Sequence, residues 1–410
     1  MIIDNRLKEF IHKIPKCDLH VHLDGSLRVP TLIELAKSAN VKLPSFTDEG
    51  INELVFKDSY KDLGEYLTGF AYTIAVMQTP ENLERVSYEF VMDNFEEGVR
   101  YVEARFAPQF HVNKLMTVED VMSAVNNGFD KAKKEINNTK AVKEGKEPAF
   151  EYGIIACAMR AFGKGFSEYF DKFIDAHAYS DPARVCALAA YELVLAMIKA
   201  REKGVSVVGF DLAGAEAGHP ASIHKEAYAL AHRNFFKKTV HAGEAFGAES
   251  IFQAITDLYA DRIGHGYYLF SEDMIHSHSI KNKADFINRL VQYIADRRIT
   301  IEVCLTSNMQ TNPSIKKLED HSFKKMLEKR LSTAICTDNR TVSKTTVSRE
   351  LELAIEHFNL TREQIKNCII YGFKRSFHPG TYLEKRAYVH NIIDYYEKIE
   401  AEYQDLVRKQ

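Results

Sequence analysis

A chain of 410 residues that is 45% hydrophobic can bury one large core, and barrels of this length fold as single domains. Its net charge of −3 excludes the basic footprint of a nucleic-acid binder, and no run of like charge is long enough to form an interaction tail. Charges within the first ten residues break the apolar stretch a secretory signal needs. The most apolar run, 186–200, is interrupted by Glu192 and falls short of the roughly 20 residues that span a bilayer, so a soluble, cytoplasmic protein with no membrane partner is expected.

The first apolar, β-branched run covers 18–23 and carries His20 and His22. A strand's period of two puts both imidazoles on one face, and at the mouth of a barrel such a pair is a natural zinc site. Alone, His-x-His is more often two satisfied histidines than a metal site. The turn that follows, Asp24-Gly25-Ser26, is not the glycine-rich phosphate turn that a doubly wound open sheet would place there.

The long gap before the next run holds several helical patterns. In the segment 62–75, Leu63, Tyr66, Leu67 and Phe70 fall at i, i+3, i+4 and i+7 and make one apolar face. That spacing serves equally a lid over a site and an ordinary stripe facing the core. Strand-like runs follow at 101–107, 153–158, 205–212, 238–242, 262–265, 300–305 and 333–336, with a polar loop or helix extension at 137–148. Eight strands alternating with helices predict an α/β fold of the (β/α)8 barrel type, a single domain over 1–410, with extra helices after the first strand and a C-terminal helix.

The chemistry-bearing residues sit where such strands end. His241 closes the fifth run, with Glu244 three residues on, placed as a general acid or base beside a metal. His265 closes the sixth run between two glycines, which suggests room for a ligand. Asp338 follows the eighth; taken alone it reads as the N-cap of the next helix. Together with His20 and His22, these residues crowd the C-terminal rim, where barrel enzymes keep their active sites. The six cysteines form no Cys-x-x-Cys pair and read as buried thiols in a reducing compartment.

The stretches 15–27, 98–108, 209–214, 241–244, 262–266, 304–308 and 337–339 resemble, in order, the adenosine deaminase family of the amidohydrolase superfamily. The resemblance implies one zinc ion per subunit held by His20, His22, His241 and Asp338, with a position left for a water made nucleophilic by the metal. It further implies that His265 and Asp338 orient the resulting hydroxide against C6 of a purine while Glu244 protonates N1. Ammonia then leaves, turning adenosine or 2′-deoxyadenosine into inosine or deoxyinosine in purine salvage. By the same resemblance the Gly214 N–H donates to N3, Asp24 accepts from the ribose 5′-hydroxyl, and 62–70 is the lid helix.

One position departs from the family pattern. The aspartate that usually follows the metal ligand and bonds purine N7 is here Asn339, and the segment 340–349 also differs. N7 is an acceptor and an amide always carries donor hydrogens, so the exchange remains compatible with purine binding. Two other readings stand beside this one. The first is a deaminase of adenine or of a modified adenine nucleoside, against which Asp24 favours a free 5′-hydroxyl, since a carboxylate repels a 5′-phosphate. The second is a non-catalytic, growth-factor-like relative, a class that is secreted and carries extra N-terminal sequence.

Overall fold

The computed structural model describes residues 4–312 and 314–403. The first three residues of the N-terminal stretch and the last seven of the expected 1–410 domain lie outside the described residues.

Eight strands are present among the described residues: β1 (Lys16–His22), β2 (Val99–Phe106), β3 (Glu151–Met159), β4 (Val207–Ala213), β5 (Lys237–Ala242), β6 (Arg262–His265), β7 (Thr300–Val303) and β8 (Thr333–Ile335). Each pairs in parallel with the next, in sequence order. The ring closes at its C-terminal rim. His22 N donates to Asp338 O (2.7 Å) and Asp338 N donates to His20 O (2.8 Å), a parallel bridge from the end of β8 back to β1. The chain thus forms the expected (β/α)8 barrel, with helices on the outside.

The strands are apolar on both faces because both faces are covered, one by helices and one by the barrel interior. Among the exceptions are five charges that pair with one another, Glu103 and Arg105 on β2, Asp211 on β4, Arg262 on β6 and Glu302 on β7, all essentially without solvent exposure. The three carboxylates are shared between two guanidiniums, with His20 against Glu302 and His241 against Asp211. Arg105 reaches Asp211 Oδ2 and Glu302 Oε2, each at 2.9 Å, and Arg262 reaches Glu302 Oε1 at 2.6 Å and also pairs with Glu103. Buried charges persist only when paired and hydrogen-bonded in this way. This ionic layer is the floor on which the rim histidines stand.

Beyond shifts of one or two residues at strand ends, the expected elements change in three places. The run 300–305 ends as a strand at Val303, and Leu305–Thr311 is helical. The buried Glu350 carboxylate caps that helix, accepting from Leu305 N (3.0 Å), Thr306 N (3.2 Å) and the Thr306 hydroxyl. The segment 62–75 forms two short helices, Leu63–Thr68 and Phe70–Val76, broken at Gly69, whose low helix propensity weakens a continuous helix there. The stretch 137–148 begins as the end of the helix Val118–Asn137 and holds one short turn of helix at Lys140–Lys143. A C-terminal helix runs over Tyr382–Glu402 behind a Thr381–Glu384 capping box. All six cysteines are buried and free. Among the described residues no helix is long and apolar enough to cross a membrane.

Candidate active site

The alternation of β1 turns His20 and His22 to the interior, where β5 brings His241 and the bridge after β8 brings Asp338. The imidazole nitrogens and carboxylate oxygen of these four residues lie within 4.8 Å of one another. His22 Nε2 stands 3.1 Å from His241 Nε2, and Asp338 Oδ1 is 3.5 Å from Nε2 of both His20 and His22. Asp338 and His265 both hold left-handed backbones, with φ of 62° and 63°. Such conformations in residues other than glycine cost on the order of 1 kcal/mol or more, and the surrounding structure must impose them. At Asp338 the barrel-closing bridge does so.

Groups behind these four side chains orient them. His20 Nδ1 donates to Glu302 Oε2 (2.8 Å), and His241 Nδ1 lies 3.0 Å from Asp211 Oδ2. The Glu302 contact places the His20 proton on Nδ1 and aims Nε2 into the site, which is how metal-binding histidines are oriented. Ser307 Oγ donates to Asp338 Oδ2 at 2.5 Å. Burial holds the His22 and His265 rings well below the usual imidazole range, so both are neutral. Burial works against ionisation of Asp338, but the hydrogen bond and charge of the His20 ring hold its carboxyl far below the carboxylate range. Three imidazole nitrogens and one ionised carboxylate, with His20 Nε2 buried and lacking any hydrogen-bond partner, form a donor set that fits a divalent metal such as zinc.

Glu244 lies two residues beyond β5, with one carboxylate oxygen 3.7 Å from His265 Nε2. Burial, and then the Asp338 carboxylate, push its carboxyl up to about 8, so it carries a proton at neutral pH. Its backbone is held by a residue that sequence reasoning missed. The buried Glu216 carboxylate accepts from the N–H groups of Gly243 (2.8 Å), Glu244 (2.9 Å), Ala245 (2.7 Å) and Phe246 (3.0 Å), and from Ser250 Oγ. The available signal was a glutamate just past a strand-ending Ala-Gly turn. The inward charges of the barrel floor were also legible in principle, as charged residues inside apolar runs, which burial obliges to pair.

These side chains open on a cavity of about 890 Å3. His22, Asp24, Gly214, His241, Glu244, His265, Asp338 and Asn339 line it; Leu63, Tyr66 and Leu67 of the helix Leu63–Thr68 and Phe70 of the next helix line it as well. The apolar face of that segment therefore looks onto the cavity. Asp24 is buried with Oδ1 unpartnered, and burial pushes its carboxyl up to about 7. Gly214 has φ 93°, a conformation that favours glycine.

Two details differ from the sequence expectation. The glycine before His265 makes room for protein, not ligand: a Cβ on Gly264 would stand 2.9 Å from His20 Cε1. The Asn339 amide donates to the Tyr66 hydroxyl (2.7 Å), which also meets Ser343 Oγ (2.7 Å), so Asn339 ties the helix Leu63–Thr68 to the loop after β8. Gly25 leaves space for this amide, since a Cβ there would fall 1.9 Å from Asn339 Oδ1.

A family model described as Adenosine deaminase matches residues 15–395. An adenosine deaminase of Mycobacterium avium (strain 104) is 34% identical over 388 residues, covering 94% of this chain and 96% of the relative. Among solved structures, a cog1816 amidohydrolase from Burkhoderia ambifaria, with bound Zn, superposes with TM-score 0.76 at 21% identity, covering 98% of this chain and 96% of the other. An adenine deaminase from Arthrobacter aurescens shares the fold with TM-score 0.71 at 20% identity, over 94% and 99% of the two chains.

Proposed function

Since the chain belongs to the adenosine deaminase family, we propose that it hydrolyses the 6-amino group of adenosine and 2′-deoxyadenosine, releasing ammonia and the inosine product, as a cytoplasmic enzyme of purine salvage. The observation that carries this reading is a neutral carboxylic acid, Glu244, in the same cavity wall as a three-histidine, one-aspartate donor set. Zinc held by His20, His22, His241 and Asp338 would supply Lewis acidity toward a water molecule.

The chain's own groups do the rest. Glu244 enters the reaction protonated and gives its proton to purine N1, which draws electron density from C6 and opens that carbon to attack by water. Asp338, kept ionised by the His20 ring, and His265 flank the attacking oxygen and orient it. One water proton passes to the 6-amino nitrogen, so that breaking the C6–N6 bond expels ammonia, and the other returns to Glu244, leaving the 6-oxo ring of inosine with its proton on N1. The unpartnered Asp24 oxygen accepts the ribose 5′-hydroxyl, and the Gly214 N–H meets purine N3. Asn339 serves the N7 edge from its place against Tyr66. Leu63, Tyr66, Leu67 and Phe70 cover the nucleoside and exclude water, which strengthens every polar contact inside.

A second reading, deamination of free adenine, has support in the shared fold of an adenine deaminase. Asp24 favours the nucleoside, because its buried Oδ1 makes no hydrogen bond in the protein, with His22 Nδ1 standing 4.0 Å away, and the ribose 5′-hydroxyl can supply a donor. The test is an absorbance assay across adenosine, 2′-deoxyadenosine, adenine and AMP, with metal analysis of the same sample. Adenosine should give the highest kcat/KM with one zinc per chain. Faster turnover of adenine would overturn the substrate assignment, and no ammonia release from any of the four would overturn the enzymatic one.

A further inference from the structure

A neutral imidazole carries one proton, and the nitrogen that holds it decides whether His265 donates or accepts at the reacting atoms. Behind the ring runs a chain of buried contacts that starts on a group with no choice. The Phe323 backbone N–H donates to His321 Nδ1 at 3.0 Å. A backbone N–H can only donate, so Nδ1 of His321 is the bare nitrogen. Burial depresses this ring to about 3, so it is neutral and its single proton sits on Nε2. That nitrogen lies 3.1 Å from Asn308 Oδ1, which accepts. The amide of Asn308 is thereby oriented, and its Nδ2 donates to His265 Nδ1 at 3.2 Å. His265 must then carry its own proton on Nε2, the nitrogen that faces Glu244 and has no hydrogen-bond partner in the protein. Turning the Asn308 amide over would set donor against donor at His321. All three side chains are buried, at 2% exposure or less.

We propose that Asn308 and His321 are positioning residues that lock His265 in the Nε2–H tautomer, so that it meets the attacking oxygen as a hydrogen-bond donor. The proposal rests on the deaminase reading of the site. Neither residue lines the cavity, so they act only through His265. With Nε2 already protonated, neutral His265 stabilises negative charge developing on that oxygen and is not the base that takes its proton.

The test begins with long-range 1H–15N correlation spectra of the full chain labelled at histidine, assigned with His265→Asn and His321→Asn. Both His265 and His321 should show a bare Nδ1 and a protonated Nε2. A protonated Nδ1 on His265 overturns the proposal. Asn308→Asp replaces the amide with a group that only accepts, drawing the His265 proton to Nδ1. It should lower kcat about 10²-fold, the cost of losing one aligned donor, with KM and metal content unchanged. His321→Gln, which keeps a donor near the Nε2 position, should recover most of the kcat lost in His321→Leu. Unchanged kcat in Asn308→Asp, or a fall in kcat with the His265 tautomer intact, overturns the proposal as well. The spectra need no substrate. An inactive protein with the expected tautomers therefore counts against the deaminase reading alone, and an active deaminase with the opposite tautomer counts against this one alone.

Discussion

Replacing Glu244 with glutamine removes a titration that the fold makes unfavourable. Burial and the nearby Asp338 move this carboxyl from 4.5 to about 8. In the metal-free protein the folded state therefore keeps a proton through a pH range in which the unfolded chain has released it. A folded-state pKa above the unfolded one means that stability is complete below pH 4.5 and is lost as pH rises toward 8. At about 1.4 kcal/mol per pH unit, the loss reaches about 3 kcal/mol at pH 7. Glutamine has no such titration, so Glu244→Gln should be the more stable protein at pH 7 and equal to the parent below the window. With an unfolding entropy of about 2.1 cal/mol/K per residue, that difference raises Tm by about 3–4 °C. Melting by circular dichroism after chelation suits a chain with no tryptophan. The gap between variant and parent should open between about pH 5 and about pH 7.5, while deamination by the metal-loaded variant falls about 10²- to 10⁴-fold because an amide cannot surrender the proton. A gap of constant size across that range, or a less stable variant at neutral pH, would refute the raised carboxyl.

The same group shapes the activity profile. On the proposed mechanism Glu244 acts in its protonated form, so kcat/KM for adenosine should be sustained below its pKa of about 8 and fall above it, and a pH–rate profile flat well into the alkaline range would contradict the assignment. At the other wall of the cavity, Gly25→Ala would drive a methyl group into the Asn339 amide and part it from Tyr66. Both Gly25→Ala and Asn339→Ala should raise KM about tenfold, the worth of roughly one hydrogen bond, with zinc content retained. An unchanged KM in either variant would show that Asn339 does not serve the substrate.

Much of the architecture was legible in the sequence because it is written in local periodicity. Short β-branched runs alternating with helical patterns specify a parallel barrel, and the period of two in His20-Val21-His22 commits both imidazoles to one face. The placement of His241, Glu244, His265 and Asp338 at or just past strand ends located the rim. The contacts that make the rim a site were not legible. His22 and His241 are 219 residues apart in the chain and their ring nitrogens are 3.1 Å apart in space. Local pattern states that a side chain points inward but not whom it meets. The same limit hid Glu216 beneath the Glu244 loop, Glu350 capping the helix after β7, and the path from Phe323 through His321 and Asn308 to His265. Each of these is a pairing between distant segments, imposed because a polar group taken out of water must find its partner inside the fold. The sequence therefore sets which residues face the barrel mouth. Closure of the barrel, through the bridge from Asp338 to β1, sets their distances, their tautomers and their charge.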